Sequence, residues 1–457
     1  MGFLVALFVP AALVWLLPIL RNGRLLPIVL IVVVSGVVFG PAFFSIDGPL
    51  QISIDRLMLV VLGGVVLIRL RLGQVAWLKL TRLDWLILGA LAYLLWSCMR
   101  GGPVPDGSVP LARWIFFAAV PVAVYFACRH IRPTPTDLRR FENAMIALGA
   151  YLSFTAVLEV TGHRQLVFPG YINDPEIWEF FGRGRGPLLN PAGNGMLITL
   201  GLTISSVRWF VSGRQGKVIH AILVALMMAG IYATLTRSAW LGAAAALGLV
   251  ALVYTPRWLR VLGLAFAILL AGGMVLGIKD QLLSMKRDKN LSASEAAKSV
   301  ELRPLLAIVA WEMFKDQPLT GHGYGHYFEH SPPYHAIREY GLPLEKVRPY
   351  VQHNVFLSVL VDTGLVGIGC LLGAMCTVLG MAARLAMDTK ADQTARTLGL
   401  ATMGYIAGYV CNGLFHDVGV IDMVNTFLLA IAGLAAAAYQ HGVRETRQSD
   451  VRSNSVA

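Results

Sequence analysis

Charge is scarce in this sequence: only 14% of its 457 residues are Asp, Glu, Lys or Arg, whereas 56% are hydrophobic. An ordinary soluble domain carries about a quarter charged residues. A chain this poor in charge lacks the polar groups to cover a globular surface in water, so its outer surface faces lipid. The mean hydropathy of +0.65 agrees. Cysteine is scarce too, and Cys98, Cys128, Cys370, Cys376 and Cys411 all lie in or at the ends of apolar runs. With no C-x-x-C pair and no histidine at metal-ligand spacing, they read as small hydrophobes in helix packing. No D-x-D pair occurs, which argues against a metal-bound nucleotide-sugar site. Despite a net charge of +12, no basic stripe with interleaved aromatics suggests nucleic acid. No internal repeat stands out. The first apolar run, 3–20, lacks a basic leader region and an A-x-A-like cleavage site, and reads as a retained membrane helix.

What is present is a series of long apolar runs. A spanning helix needs about 20 mostly apolar residues. About thirteen segments qualify: 3–20, 25–44, 56–72, 83–99, 110–129, 141–160, 192–211, 218–235, 238–254, 258–278, 354–384, 396–414 and 421–440. The expected fold is therefore all-α and polytopic, with about 12–13 transmembrane helices. Asp362-Thr363-Gly364 suggests an interfacial turn inside the long 354–384 run, and the polar tail after His441 reads as disordered. The expected organisation is N-terminal helices in 1–160, an outward loop at 161–191, helices in 192–278, a large outward loop at 279–353, C-terminal helices in 354–441 and a cytoplasmic tail at 442–457.

Lys and Arg fall at every second connection: Arg21/Arg24, Arg69/Arg71/Lys79/Arg82, Arg129/Arg132/Arg139/Arg140, Arg208/Arg214/Lys217, Arg257/Arg260, Arg384/Lys390/Arg396 and the tail. Cytoplasmic loops are rich in Lys and Arg, so these connections are expected inside and the loops at 161–191 and 279–353 outside. In the large loop, 295–316 has the spacing of an amphipathic helix lying on the membrane.

Four arginines break that pattern on the outward side: Arg183, Arg185, Arg237 and Arg303. One such arginine reads most simply as snorkelling or pairing with a loop carboxylate. Four together point to a bound anion, because the guanidinium fork matches phosphate and stays charged. His353 stands where the large loop meets the next helix. An imidazole there can take a proton from a hydroxyl, or it can serve as a cap, and Asn354 beside it can cap the helix or orient a ligand. His322, His326, His330 and His335 lie close together, but G-H-G-Y-G-H-Y-F-E-H is no known zinc spacing, and no metal site is expected.

Three stretches, in this order and spacing, resemble the O-antigen ligase and polymerase superfamily of bacterial membrane glycosyltransferases. They are T-R-S-A-W-L-G at 236–242, R-P-L-L-A-I-V-A-W-E-M-F-K-D-Q-P-L-T-G-H-G-Y-G at 303–325 and H-N-V-F-L-S-V-L-V-D-T-G-L-V-G at 353–367. G-R-G-P-L-L-N-P-A-G-N-G at 184–195 is similar to the family's preceding segment, and the resemblance covers roughly 180–385. It implies a GT-C-like membrane enzyme of the bacterial cytoplasmic (inner) membrane, with its active site on the periplasmic side. Such an enzyme moves a glycan from a polyprenyl-diphosphate carrier to a hydroxyl acceptor, either a lipid A-core-like molecule or a growing glycan. The transfer inverts the anomeric centre and uses no metal ion or other cofactor. Matched by motif, Arg237 and Arg303 hold the diphosphate and His353 is the base. Arg183, Arg185, Asn354, Tyr324 and His322 are further substrate-binding candidates. The family often has a glycine beside the arginine of the first motif, where this chain has Thr236 and Ser238, which leaves the subfamily open. A glycan polymerase and a protein oligosaccharyltransferase share the donor chemistry. A transporter of lipid-linked sugars should show repeated halves or polar residues at mid-membrane, and here the polar groups concentrate outside the spans.

Overall fold

Helix starts are written locally in this chain. Thr81 and Thr134 each form a capping box, their hydroxyls accepting the amides of Asp84 and Asp137 while those carboxylates accept the cap amides. Asn190 and Asn354 each accept two first-turn amides, and Pro191 follows at the position where a missing N–H costs nothing. A computed structural model describes residues 24–46, 52–102, 104, 110–261 and 293–454, with 293–301 and 443–454 described as backbone only. The run 3–20, Asp47 and most of 258–292 lie outside the described residues.

In chain order the main helices are α1 (Leu25–Val38), α2 (Ile54–Arg71), α3 (Arg82–Arg100), α4 (Pro110–Arg129), α5 (Pro135–Thr161), α6 (Pro191–Val211), α7 (Arg214–Ala233), α8 (Arg237–Tyr254), α9 (Ala293–Asp316), α10 (Val355–Met387), α11 (Gln393–Gly413) and α12 (Asp422–Asn454). The strands β1 (Ser45–Ile46) and β2 (Ile52–Ser53) pair antiparallel before α2. Among the described residues, 7 helices are long and apolar enough to cross a membrane: α3, α4, α5, α7, α8, α10 and the first part of α12. The protein is an all-α polytopic membrane protein.

The apolar runs 192–211 and 396–414 become α6 and α11, which lie at the centre of the bundle. Every residue of α6 from Pro191 to Val207 is buried. A helix surrounded by protein needs small residues for close approach more than it needs lipid-facing bulk. A Cβ on Gly201 would sit 2.8 Å from the Met145 carbonyl oxygen of α5. Thr199, Thr203 and Thr402 return their hydroxyls to carbonyls one turn back at 2.7–2.8 Å, which meets these groups within their own helices.

Three expectations change in the structure. The run 25–44 yields a helix of only 14 residues, because Gly40-Pro41 follows shortly after and neither residue continues a helix. The tail after His441 keeps helical backbone to Asn454, consistent with a proline-free stretch that includes Arg444, Glu445, Arg447 and Gln448. The apolar stripe of α9 does not lie bare for the membrane. Leu305, Leu306, Val309, Ala310 and Met313 pack against Tyr327, Leu344, Val347 and Val361, giving the loop that follows α9 a core of its own.

Polar contacts show which helix ends lie together. Arg24 before α1 meets Asp137 of α5 at 3.1 Å, and Arg129 at the end of α4 meets Asp84 of α3 at 2.9 Å. Arg208 near the end of α6 donates to Glu142 at 2.7 Å, and Gln393 of α11 to Tyr254 at the end of α8, also at 2.7 Å. The Lys/Arg-rich connections therefore share one face of the bundle. The loops at 162–190 and 317–354 share the opposite face.

Candidate active site

The first component is the turn into α8. Leu235 sits at φ 49°, a left-handed conformation uncommon for a branched side chain, and Thr236 is extended ahead of the first helical residue, Arg237. Arg183 braces this turn: its guanidinium donates to the carbonyls of Thr234 (3.3 Å) and Leu235 (3.2 Å) and to the Thr236 hydroxyl (2.5 Å). Next to it the Gly184 amide donates to the Ala233 carbonyl at 2.9 Å. Arg183 thus holds the turn that leads into Arg237.

Arg303 projects from α9 toward the same place. Burial, and then the positive charge of Arg237, pull its pKa below the ordinary guanidinium value. Its guanidinium carbon lies 5.7 Å from the Phe415 ring centre. Among the described residues, no hydrogen bond or ion pair engages the guanidinium of Arg237 or of Arg303. Two cations facing one another without a carboxylate between them repel, and an anion placed there would relieve that repulsion.

His353 completes this cluster. Desolvation by its packed surroundings, and then the Arg303 charge, lower its imidazole pKa from the ordinary 6.5. Its backbone is left-handed at φ 49°. The capping role belongs to Asn354, whose Oδ1 accepts the Phe356 and Leu357 amides at 2.9 and 3.1 Å and whose Nδ2 donates to the Leu414 carbonyl at 3.1 Å. Among the described residues the His353 ring has no hydrogen bond, and its aromatic neighbour, Tyr350, is 6.4 Å away between ring centres. An imidazole with neither nitrogen bonded among the described residues sits on a backbone clamped by the cap that follows it.

The loop is fastened to the membrane helices by a break in α10. Gly364 stands at φ 63°, at the turn expected from Asp362-Thr363-Gly364. The break frees the Leu365 and Val366 amides, which donate to the Pro318 and Leu319 carbonyls at 2.8 and 3.2 Å. In return the His322 and Gly323 amides donate to the Val361 and Asp362 carbonyls, both at 2.9 Å. Tyr93 of α3 donates to the Thr363 carbonyl at 2.7 Å, and Arg100 to those of Thr320 (3.2 Å) and Gly321. A Cβ on Gly321 would come within 2.4 Å of Asp362 and Thr363 backbone atoms. The P-L-T-G-H-G and V-D-T-G stretches are thus two halves of one clasp.

The remaining candidates separate. Arg185 is fully buried, and its guanidinium is taken up by the carbonyls of Ile172 (2.8 Å), Asp174 (3.1 Å), Glu179 (2.9 Å) and Ile177. It organises the 162–190 loop. His322 bonds the Met313 carbonyl through Nε2 at 2.8 Å and packs inside the loop near His330 and Tyr334. Tyr324 lines a cavity of about 470 Å³ between α3, α4, α10 and α12, which passes beside Val351, Gln352 and Val355, the neighbours of His353 and Asn354. That cavity has a polar end carrying Arg113, Asp362 and Asp417 and an apolar body of side chains such as Leu91, Phe117, Leu371 and Leu428. Asp362 is 7% exposed. Its Oδ2 accepts the Gly325 amide at 2.9 Å while Oδ1 has no partner among the described residues. Sequence reasoning passed over Arg100 and Arg113, although both flank an outward connection and break the same charge pattern as the four arginines that it singled out.

Residues 222–372 match the model of the O-antigen ligase family. This stretch is similar to the O-antigen ligase family. The matched stretch contains Arg237, Arg303, His322, Tyr324, His353, Asn354 and both halves of the clasp, and leaves out Arg183 and Arg185. No curated protein matches the sequence.

Proposed function

We propose that this protein is an O-antigen ligase-like enzyme that transfers a glycan from a polyprenyl-diphosphate carrier to a hydroxyl acceptor at the outer face of the bacterial cytoplasmic membrane. The observation that carries the reading is the cluster itself: two guanidinium groups without counter-ions beside an imidazole without a hydrogen bond. The acceptor hydroxyl gives its proton to neutral His353 as its oxygen attacks the anomeric carbon. The bond from that carbon to the diphosphate oxygen breaks on the opposite side, so the centre inverts. The leaving diphosphate gains negative charge, and Arg237 and Arg303 stabilise that charge more in the transition state than in the bound substrate. With guanidinium groups supplying the positive charge, the reading assigns no step to a metal ion.

The lowered His353 pKa suits a base, because the ring is neutral and ready at neutral pH. The cavity of about 470 Å³ lined by Gln352 and Val355, which flank His353 and Asn354 in the chain, suits an acceptor delivered from the membrane, with an apolar body for a lipid and a polar end for hydroxyl groups. The test is transfer from a synthetic polyprenyl-diphosphate sugar to a panel of hydroxyl acceptors, read by mass spectrometry of the product. The wild-type protein is expected to form a glycosidic product that His353→Ala forms far more slowly. Release of free sugar with no acceptor product, equal in both proteins, would overturn the reading.

A further inference from the structure

The face opposite the candidate active site holds a second cavity, of about 700 Å³, where the start of α1, the end of α4, the start of α5 and the α2–α3 connection meet. Five cations line it, Arg24, Arg69, Lys79, Arg129 and Arg132, against one lining carboxylate, Asp137. Two of these positive charges are already matched. Arg129 is locked to Asp84 by two hydrogen bonds of 2.9 Å, and Arg24 meets Asp137 at 3.1 Å. Lys79 and Arg132 are exposed and have no carboxylate partner among the described residues.

The rim adds a second, independent feature. The connection 72–81 runs along the cavity and presents Trp77 at 72% exposure, with Leu72 and Leu80 also exposed. An exposed indole and leucines beside lysine and arginine are the composition of the headgroup level of a bilayer, where the ring sits among glycerol groups and the cations meet phosphate. A soluble phosphate would need the cations alone.

We infer that this cavity binds the headgroup of an anionic phospholipid, with the phosphate between Lys79 and Arg132 and the acyl chains beside Trp77. A lipid held there would tie the start of α1, the end of α4 and the start of α5 together on that face. Basic pockets between membrane helices hold anionic headgroups by the same physics, and each basic residue near an anionic surface contributes about a fivefold factor.

The test uses the full chain in lipid nanodiscs of phosphatidylcholine with or without phosphatidylglycerol, followed by native mass spectrometry and thermal unfolding. The wild-type protein is expected to retain phosphatidylglycerol over phosphatidylcholine and to unfold at higher temperature in its presence. K79Q/R132Q, changed only at exposed side chains, is expected to retain phosphatidylglycerol about 25-fold less well and to lose the thermal shift. Equal retention of the two lipids by the wild type, or unchanged retention by the double variant, would overturn the inference. So would an equal thermal shift from inorganic phosphate in lipid-free detergent, which would make the cavity a site for a soluble anion.

Discussion

Replacing His353 by glycine separates its chemistry from its structure, because the two are expected to move in opposite directions. The residue holds φ 49°. A left-handed conformation costs an L-residue about 1–2 kcal/mol, which glycine does not bear. Glycine's greater freedom in the unfolded chain takes back about 0.5–1 kcal/mol. The ring makes no hydrogen bond among the described residues, and the cap of α10 rests on Asn354, so nothing else of that size is lost. Thermal unfolding of His353→Gly should therefore match the wild type or exceed it by up to about 1.5 kcal/mol. Transfer should fall about 10²–10⁴-fold, since a positioned acid–base group has been removed. Single-turnover transfer and thermal unfolding on the same purified protein give both numbers. Transfer within about threefold of wild type would refute the base role. A loss of more than about 2 kcal/mol of stability would show that the ring holds the loop together.

Three further outcomes follow from the geometry. Arg303→Gln removes one of the two causes that lower the His353 pKa. The ascending limb of its pH–rate profile should therefore move to higher pH, with the variant relatively worse in mild acid, and an unmoved limb would uncouple the two residues. Arg185→Lys should unfold at lower temperature and assemble poorly, because an ammonium cannot serve four carbonyls in a planar fork and a buried charge left short of partners costs about 2–5 kcal/mol. Donor affinity of whatever folds should stay near normal, and a selective loss of donor binding would return Arg185 to the site. Gly364→Ala would place a Cβ 2.4 Å from the Leu319 carbonyl group at a positive φ, so the loop should undock, which increased proteolysis within 317–354 and lost transfer would report together.

Much of this architecture is legible in the sequence because lipid imposes a simple rule on outward-facing helices. The alternation of Lys and Arg gives the two faces of the bundle, and the turn at Gly364 follows from a glycine after Asp362-Thr363. Arg237, Arg303 and His353 stand out as polar groups on the wrong side or at a helix start. What sequence does not carry is the partner. Arg183, Arg185, Arg237 and Arg303 look alike as letters, yet Arg183 and Arg185 are engaged by backbone carbonyls, which every residue has and no pattern marks. Likewise α6 and α11 read as ordinary spans, and their central place comes from small residues such as Gly201 that matter only against a neighbour. Asp362 reads as part of a turn, and its place in a cavity shared with Arg113 and Asp417 depends on α4, α10 and the α11–α12 connection meeting.

The central claim is that Arg237 and Arg303 together hold a diphosphate. Its most direct measurement is the affinity of the protein in nanodiscs for a polyprenyl diphosphate and for the corresponding monophosphate, in the wild type, Arg237→Gln, Arg303→Gln and the double variant. The account predicts that the wild type prefers the diphosphate, that each single change weakens it at least tenfold, and that the preference is gone in the double variant, as loss of charge-assisted pairs requires. Equal binding of the diphosphate by all four proteins would contradict it.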